Sequence, residues 1–188
     1  IIVRVLKNPL LNAFTYPNGV IYVHTGILAR MDNEAQLATL LGHELTHASH
    51  RHGVQQFREI QNKTAFASTL GALAAPFGAA GALVGLIGAV GAIAAIYGFS
   101  QDQEREADHE GLALVVRAGY DPREAPKLFG HLKQWVEEEK KKEPFFFGTH
   151  PRLTERIESF EQLLAGEYKE AAARGGRLGV EEFSARSR

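Results

Sequence analysis

The first 24 residues have the pattern of short β-strands. "IIVRVL" at residues 1–6 is apolar and rich in β-branched side chains, and "NAFTYPNGVIYVH" at residues 12–24 contains two further extended runs. Pro17, Asn18 and Gly19 separate these two runs and form a turn signal. The pattern predicts a small N-terminal sheet.

After the strands, apolar residues recur at helical spacing. Asn33 and Gln36 fit an N-cap residue and its capping-box partner, and leucines then follow every three or four positions as far as Ala48. This pattern predicts a long amphipathic helix directly after the sheet.

Three more helices are predicted further along the chain. One begins near residue 101 and ends at Gly119. The next begins with the start signals Asp121 and Glu124, and the last runs from Pro151 through Leu164 and is ended by Gly166. Strands first and helices afterwards predict an α+β fold that is mostly helical.

Composition narrows the classes of function that remain open. A chain of 188 residues is long enough for one domain with a sizeable core. The net charge of −1 argues against a nucleic-acid partner, which would leave a basic surface. The absence of cysteine excludes disulfides, thiolate metal ligands and a cysteine nucleophile.

The segment His43-Glu44-Leu45-Thr46-His47 is an H-E-x-x-H motif on the first predicted helix. Residues four apart lie on one helix face, so the imidazoles of His43 and His47 can reach the same metal ion. Glu44 lies about 100° around the helix from His43, where it can contact a water on the metal without binding the metal itself. The motif predicts a catalytic zinc site.

Such a site needs a third protein ligand. The segment "QEREADHEG" supplies the candidates Glu104, Glu106, Asp108, His109 and Glu110. Glu104 and Asp108 are four apart and share a helix face, from which Glu106 points away. We therefore predict Glu104 as the ligand and Asp108 as a carboxylate that bonds the far nitrogen of a ligating histidine. Glu106 and Glu110 are expected on a solvated face.

Four motifs in order resemble one family of metallopeptidases. H-E-x-x-H is joined by "NAFTYPNGVIYVHTGIL" at residues 12–28, "EREADHEG" at 104–111 and "THPRLTERI" at 149–157. Together they resemble the HtpX, BepA and CAAX-prenyl-protease group of gluzincin zinc metallopeptidases, over about residues 10–160.

The resemblance implies a zincin-like domain with one Zn²⁺ per chain. It assigns His43, His47 and Glu104 as the ligands and Glu44 as the general base. It further implies an endopeptidase of protein quality control, with a polypeptide substrate. The implied location is the bacterial cell envelope, periplasmic or membrane-associated.

Two residues of the last motif have expected roles. His150 is a candidate oxyanion stabiliser, and in some relatives the matching histidine is thought to bind the zinc of a resting state, which makes a switch role the alternative. Arg156 is expected to be structural and to orient the loop before it. The remaining histidines are expected to be exposed or to pack against neighbours; these are His24, His50, His52, His109 and His131.

The strand residues Asn12, Ala13 and Phe14 are candidates for substrate binding. An extended peptide can add to the edge of a sheet by main-chain pairing. The alternative is that these residues are ordinary core strand positions.

Residues 66–99 carry no charged side chain. His47 lies before this stretch and Glu104 after it, so a single membrane crossing would separate two ligands of one metal ion. We therefore expect a helical hairpin that turns near Pro76 and does not span. It would serve as a lid, a shallow insertion at a membrane surface or a partner interface, and a buried core hairpin is the alternative.

The sequence thus predicts a metallopeptidase domain over residues 1–165, with the hairpin inserted at 64–101 between the zinc-ligand helices. Residues 166–188 are expected to form a loosely ordered C-terminal helix or tail, for which a linker is one candidate function. The expected activity is zinc-dependent hydrolysis of unfolded or membrane- and envelope-associated proteins. The alternative is a non-catalytic zinc-binding holdase or interaction module. The oligomeric state stays open.

Overall fold

A computed structural model describes residues 1–16, 18–59, 61–62, 65, 99–139 and 152–186. Its strands are β1 (Ile2–Leu6), β2 (Ala13–Thr15) and β3 (Val20–His24). They form one sheet in the order β1-β3-β2, in which β3 runs parallel to β1 and antiparallel to β2. The small N-terminal sheet that the sequence predicts is therefore present.

Helices make up most of the described remainder, which confirms the mostly helical α+β architecture. They are α1 (Thr25–Leu28), α2 (Glu34–Ser49), α3 (Gln101–Arg117), α4 (Glu124–Glu139), α5 (Leu153–Ala165), α6 (Lys169–Arg174) and α7 (Val180–Arg186). Residues 52–59 are also helical.

The start of α2 is fixed by side chains in a different arrangement from the predicted capping box. Asn33 Oδ1 accepts a bond from the Gln36 backbone N–H at 3.0 Å, as predicted, but the Gln36 side chain accepts from the backbone of Asp32 at 2.9 Å. Asn33 also donates to Glu124 at 2.8 Å. Glu124, predicted to cap its own helix, therefore joins the starts of α2 and α4.

The hydrophobic core lies between the sheet and the helices. Ile21 and Val23 of β3 face it, and Leu40 of α2 lies fully buried beside them. Phe129 of α4 and Phe160 of α5 stack with ring centroids 5.3 Å apart. This packing fixes α5 against α4, and α5 also contacts α3.

Helices α2 and α3 come into close backbone contact at two glycines. A Cβ atom on Gly111 would lie 2.8 Å from the backbone nitrogen of His43, and one on Gly42 would lie 2.7 Å from the carbonyl oxygen of Gly111. These contacts are with backbone atoms, which cannot move aside as a flexible side chain could. Glycine at both positions therefore permits the crossing that brings α3 beside the H-E-x-x-H helix.

The C-terminal segment packs on the domain, in contrast to the loose order that its composition suggests. Arg177 exchanges backbone bonds with Asp121 and Gly119, at 3.1 and 2.9 Å. Phe183 is buried in the core. The buried side chain of Phe183, which follows the glycine-rich stretch, anchors this segment to the core. The linker function and the domain bounds stay predictions.

The predicted hairpin at 64–101 falls outside the described residues, apart from residues 65 and 99–101. Within the described part of the chain, no helix is both long and apolar enough to cross a membrane.

We predict that Gly111→Ala lowers the free energy of unfolding by about 1–3 kcal/mol, because the new methyl group forces α3 away from α2. Gly130→Ala on α4 is the matched control, since a Cβ there meets nothing within 4 Å and alanine favours a helix. Urea unfolding of both variants measures the difference. Equal stability of the two variants would show that the glycine contact does not limit the crossing.

Candidate metal centre

Helices α2 and α3 bring three potential ligands together in the interior. His43 and His47 lie one turn apart on α2, and Glu104 lies in the first turn of α3; each is at most 3% exposed. The two imidazole Nε2 atoms are 3.0 Å apart. Glu104 carboxylate oxygens lie 3.7 Å from the Nε2 of His43 and 3.4 Å from that of His47.

These donor separations fit a zinc ion. Ligand atoms about 2.0–2.1 Å from a tetrahedral ion are about 3.3 Å from one another, and the three observed distances lie on both sides of that value. Two imidazoles and one carboxylate are a common donor set of catalytic zinc, with a fourth position left for water. The cluster of His43, His47 and Glu104 could therefore hold a metal ion.

Asp108 determines which nitrogen of His43 faces the cluster. Its Oδ1 lies 2.9 Å from His43 Nδ1. Burial alone would raise the pKa of Asp108, but the charges and hydrogen bonds of Arg156 and His43 lower it, so the carboxylate is ionised and only accepts. We therefore place the proton of His43 on Nδ1, although Arg156 Nη2 lies 3.1 Å from the same atom. The Nε2 lone pair then points at the cluster.

The charge state of His43 suits a ligand. Burial, followed by the positive charge of Arg156, lowers the pKa of His43 to about 4. The imidazole is therefore neutral near pH 7, which is the form that binds metal ions.

His47 is oriented by two residues whose part sequence reasoning missed. Its Nδ1 lies 2.8 Å from Nδ1 of His52, and Nε2 of His52 lies 2.9 Å from a carboxylate oxygen of Glu106. Because Glu106 accepts from His52 Nε2–H, His52 accepts at Nδ1 from His47. The lone pair of His47 Nε2 therefore points at the cluster, toward that of His43.

The backbone explains why His52 was missed. Helix α2 ends at Ser49, and Arg51 has a φ of 57°, in the left-handed region. The chain turns there and becomes helical again from residue 52, so helical spacing does not carry across. His52 is 1% exposed and contacts the site, while Glu106, expected on a solvated face, is its partner.

Arg156 ties the two carboxylates of α3 to α5. Its guanidinium donates to both oxygens of Asp108 at 2.8 and 2.6 Å and lies 3.0 Å from Glu104. Its Cζ is 4.2 Å from the ring centre of Phe129. The sequence predicted that Arg156 orients the loop before it. That loop lies outside the described residues, so this role stays a prediction; among the described residues Arg156 holds Glu104 and Asp108 in place.

Glu44 is fully buried beside the cluster, on the side of the sheet. The hydroxyl of Thr15 donates to its carboxylate at 2.8 Å and lies 3.1 Å from its backbone oxygen. Strand β2 therefore lies against α2 at the H-E-x-x-H motif. No sequence pattern singled out Thr15, because the contact joins residues 29 positions apart.

The three strand residues predicted to bind substrate lie close to this contact. Asn12 and Ala13 are buried and Phe14 is partly buried, stacking on Tyr22 with ring centroids 5.4 Å apart. Strand β2 is an edge strand of the described sheet. The side chains of Asn12 and Ala13 are thus inaccessible, and any contact with a peptide would be through the backbone.

The remaining histidines differ in burial and in whether the structure describes them. His150 lies outside the described residues. His24 is buried, while His109 and His131 are exposed and lie near the carboxylates of Glu167 and Asp32.

The amino-acid sequence is similar to those of known metallopeptidases. Residues 2–164 match peptidase family M48. The chain is 33% identical over 186 residues to the mitochondrial metalloendopeptidase OMA1 of Arabidopsis thaliana, covering 96% of this chain and 36% of that protein. It is 29% identical over 133 residues to the beta-barrel assembly-enhancing protease of Escherichia coli K12, covering 68% and 27%.

A third relative is the mitochondrial metalloendopeptidase OMA1 of Schizosaccharomyces pombe, 32% identical over 165 residues, which cover 86% of this chain and 46% of that protein. The chain thus spans about a third of the length of these curated relatives. The match over residues 2–164 agrees with the resemblance read from the motifs and with the His-His-Glu cluster of the structure. The chain belongs to peptidase family M48.

Proposed function

We propose that this chain is a zinc-dependent endopeptidase that hydrolyses peptide bonds of unfolded or membrane- and envelope-associated proteins. The observation that carries the proposal is the convergence of ligand atoms from His43, His47 and Glu104, together with a fully buried carboxylate on Glu44, the residue next to His43 in the chain. A structural zinc site has four protein ligands and needs no such neighbour.

His43, His47 and Glu104 would hold one Zn²⁺ per chain. When bound, zinc would lower the pKa of a water molecule and polarise the scissile carbonyl. Glu44 would take the proton of the attacking water and deliver it to the leaving amine nitrogen. The hydrogen bond from Thr15 supports this role, because it holds the carboxylate of Glu44 in one position.

The ligands depend on a supporting set of side chains. Asp108 would keep the proton of His43 on Nδ1, and His52 with Glu106 would do the same for His47. Carboxylates that bond the far nitrogen of a ligating histidine fix its orientation and raise its basicity. Arg156 would prevent the two buried carboxylates of Glu104 and Asp108 from repelling each other.

His150 would stabilise the oxyanion or bind the metal in a resting state. Helix α5 begins three residues later at Leu153 and is anchored to the site by Arg156. This anchoring supports the proposal, because Arg156 ties the start of α5 to Glu104 and Asp108, and His150 is three residues from that start along the chain.

An extended substrate would pair with the backbone of β2. This strand lies at the edge of the described sheet and contacts Glu44 through Thr15. Of the predicted residues Asn12, Ala13 and Phe14, Asn12 already accepts from the His24 N–H through its backbone oxygen. Because backbone groups alternate in direction along a strand, Ala13 would pair with the substrate while Asn12 and Phe14 pair with β3. Such main-chain pairing would make little demand on the substrate sequence, which suits a peptidase of unfolded chains.

The substrate class and location rest on the relatives. The bacterial ones are called beta-barrel assembly-enhancing proteases, which supports envelope proteins as substrates and the bacterial cell envelope as the location. The mitochondrial relatives are called metalloendopeptidases, which supports endopeptidase activity. The uncharged residues 66–99 would supply contact with a membrane surface.

We predict that Glu44→Gln keeps zinc but lowers casein cleavage by about 10²–10⁴-fold, because an amide cannot accept the proton of water. Glu161→Gln, at an exposed position of α5, is the control and should cleave at the wild-type rate. Zinc content and initial rates measure the effect. Undiminished cleavage by Glu44→Gln would refute the mechanism, and a zinc-loaded wild type without activity would favour a holdase.

We also predict that His52→Ala weakens zinc binding by about 10–100-fold, since His47 loses the partner that fixes its proton. His109→Ala, which removes an exposed histidine bonded to Glu167, should bind as tightly as the wild type. Glu106→Gln should retain more affinity than Glu106→Ala, because its amide oxygen still accepts from His52. Competition with a chelator gives the affinities; identical values for His52→Ala and His109→Ala would contradict the role of His52.

A further inference from the structure

A second set of metal-binding side chains lies beside the first. We call His43, His47 and Glu104 the inner cluster, and His50, His52 and Glu106 the outer cluster. The donor atoms of the outer cluster all lie within 4.8 Å of one another. His50 and Glu106 are 31% and 42% exposed in their side chains, so a cation can enter from solvent.

We propose that the outer cluster binds a divalent cation, with zinc as the best match, and that occupancy there opposes metal binding at the inner cluster. The regulatory part rests on the proposed zinc-dependent function. Binding at the outer cluster itself does not.

The position of His50 between two carboxylates is the first observation. Its Nε2 lies 2.9 Å from Glu110, so the tautomer with the proton on Nε2 donates there and directs its Nδ1 lone pair at Glu106. His50 Nδ1 and the facing Glu106 oxygen are 3.3 Å apart. Two lone pairs at this distance repel unless a proton or a metal cation lies between them. A separation of about 3.3 Å is also that of ligand atoms on tetrahedral zinc, so a zinc ion can replace the proton without moving either side chain.

The surroundings of the outer cluster also suit a metal ion. Glu110 behind His50 repeats the carboxylate–histidine arrangement found at metal sites. Glu106 and Glu110 together carry two negative charges, which one divalent cation balances. Imidazole with carboxylate is a donor set that suits zinc.

The two clusters are linked by one proton. The 2.8 Å contact between Nδ1 of His47 and Nδ1 of His52 has room for a single proton. With metal at the inner cluster, His47 holds that proton and His52 carries its other proton on Nε2, toward Glu106. The His47 Nε2 lone pair is then available to the inner metal.

Binding at the outer cluster reverses this arrangement. A cation that takes the Nε2 lone pair of His52 leaves the shared proton on His52 Nδ1. His47 then accepts at Nδ1 and carries its own proton on Nε2, where it donates to His43 Nε2, 3.0 Å away. The two rings hold two protons in both arrangements, but His47 can bind the inner metal in only one of them.

Excess zinc should therefore inhibit this protein through the outer cluster. Mutual opposition of two binding sites is reciprocal, and coupling of this kind commonly changes affinity by about 5–150-fold. Cleavage should rise as the inner cluster fills and fall as the outer cluster fills.

The test is a zinc titration of metal-depleted wild type, His50→Ala and the control His109→Ala. Bound ions per chain are counted by native mass spectrometry, and casein cleavage is followed in parallel. The wild type and His109→Ala should bind a second, weaker ion and lose activity as it binds. His50→Ala should bind one ion and keep its full rate in excess zinc, because His50 does not contact the inner cluster.

A variant that lacks a metal ligand of the inner cluster tests this proposal separately from the proposed peptidase function. Glu104→Ala should bind the outer ion about 5–150-fold more tightly than the wild type does, whether or not the protein is a peptidase. One ion per chain in wild type throughout the titration, or equal inhibition of wild type and His50→Ala, would overturn the outer site. Unchanged affinity in Glu104→Ala would overturn the opposition between the clusters.

Discussion

Two buried imidazoles must keep their Nε2 lone pairs directed at one point, and the rest of the site depends on this requirement. The Nε2 atoms of His43 and His47 are 3.0 Å apart, a distance at which two lone pairs repel unless a proton or a cation lies between them. Each ring is therefore held by a partner on its far side, Asp108 for the first and His52 for the second. Hydrogen bonds to Nδ1 thus determine whether the pair can bind metal.

The fold supplies these partners from distant parts of the chain. A crossing at Gly42 and Gly111 is close enough to place Glu104 and Asp108 beside α2. Two carboxylates so deeply buried need a cation, and Arg156 of α5 provides it at 3.0 and 2.6 Å. The core that packs α5 on α4 therefore also stabilises the site. Mutations in that core are expected to affect metal binding.

Residues that share a face of one helix were predictable from the sequence. Contacts across an interruption of a helix, or between a strand and a helix, were not. His43 and His47 follow from a spacing of four, and Glu104 with Asp108 from the same rule on α3. The role of His52 was not predicted because the left-handed conformation of Arg51 interrupts the helix. The role of Thr15 was not predicted because a contact between a strand and a helix produces no periodic pattern in the sequence. The predicted strands and the N-cap of α2 at Asn33 agree with the structure, since turns and caps are local signals. Helices α4 and α5 begin at Glu124 and Leu153, each about two residues after the predicted start.

The most direct measurement is a crystal structure of the zinc-loaded protein with anomalous data at the zinc edge. The account predicts a peak about 2.0–2.2 Å from His43 Nε2, His47 Nε2 and a carboxylate oxygen of Glu104. Glu44 should be near this peak but not bound to it. A metal ion coordinated by Glu44, or one that leaves Glu104 unbound, would contradict the account.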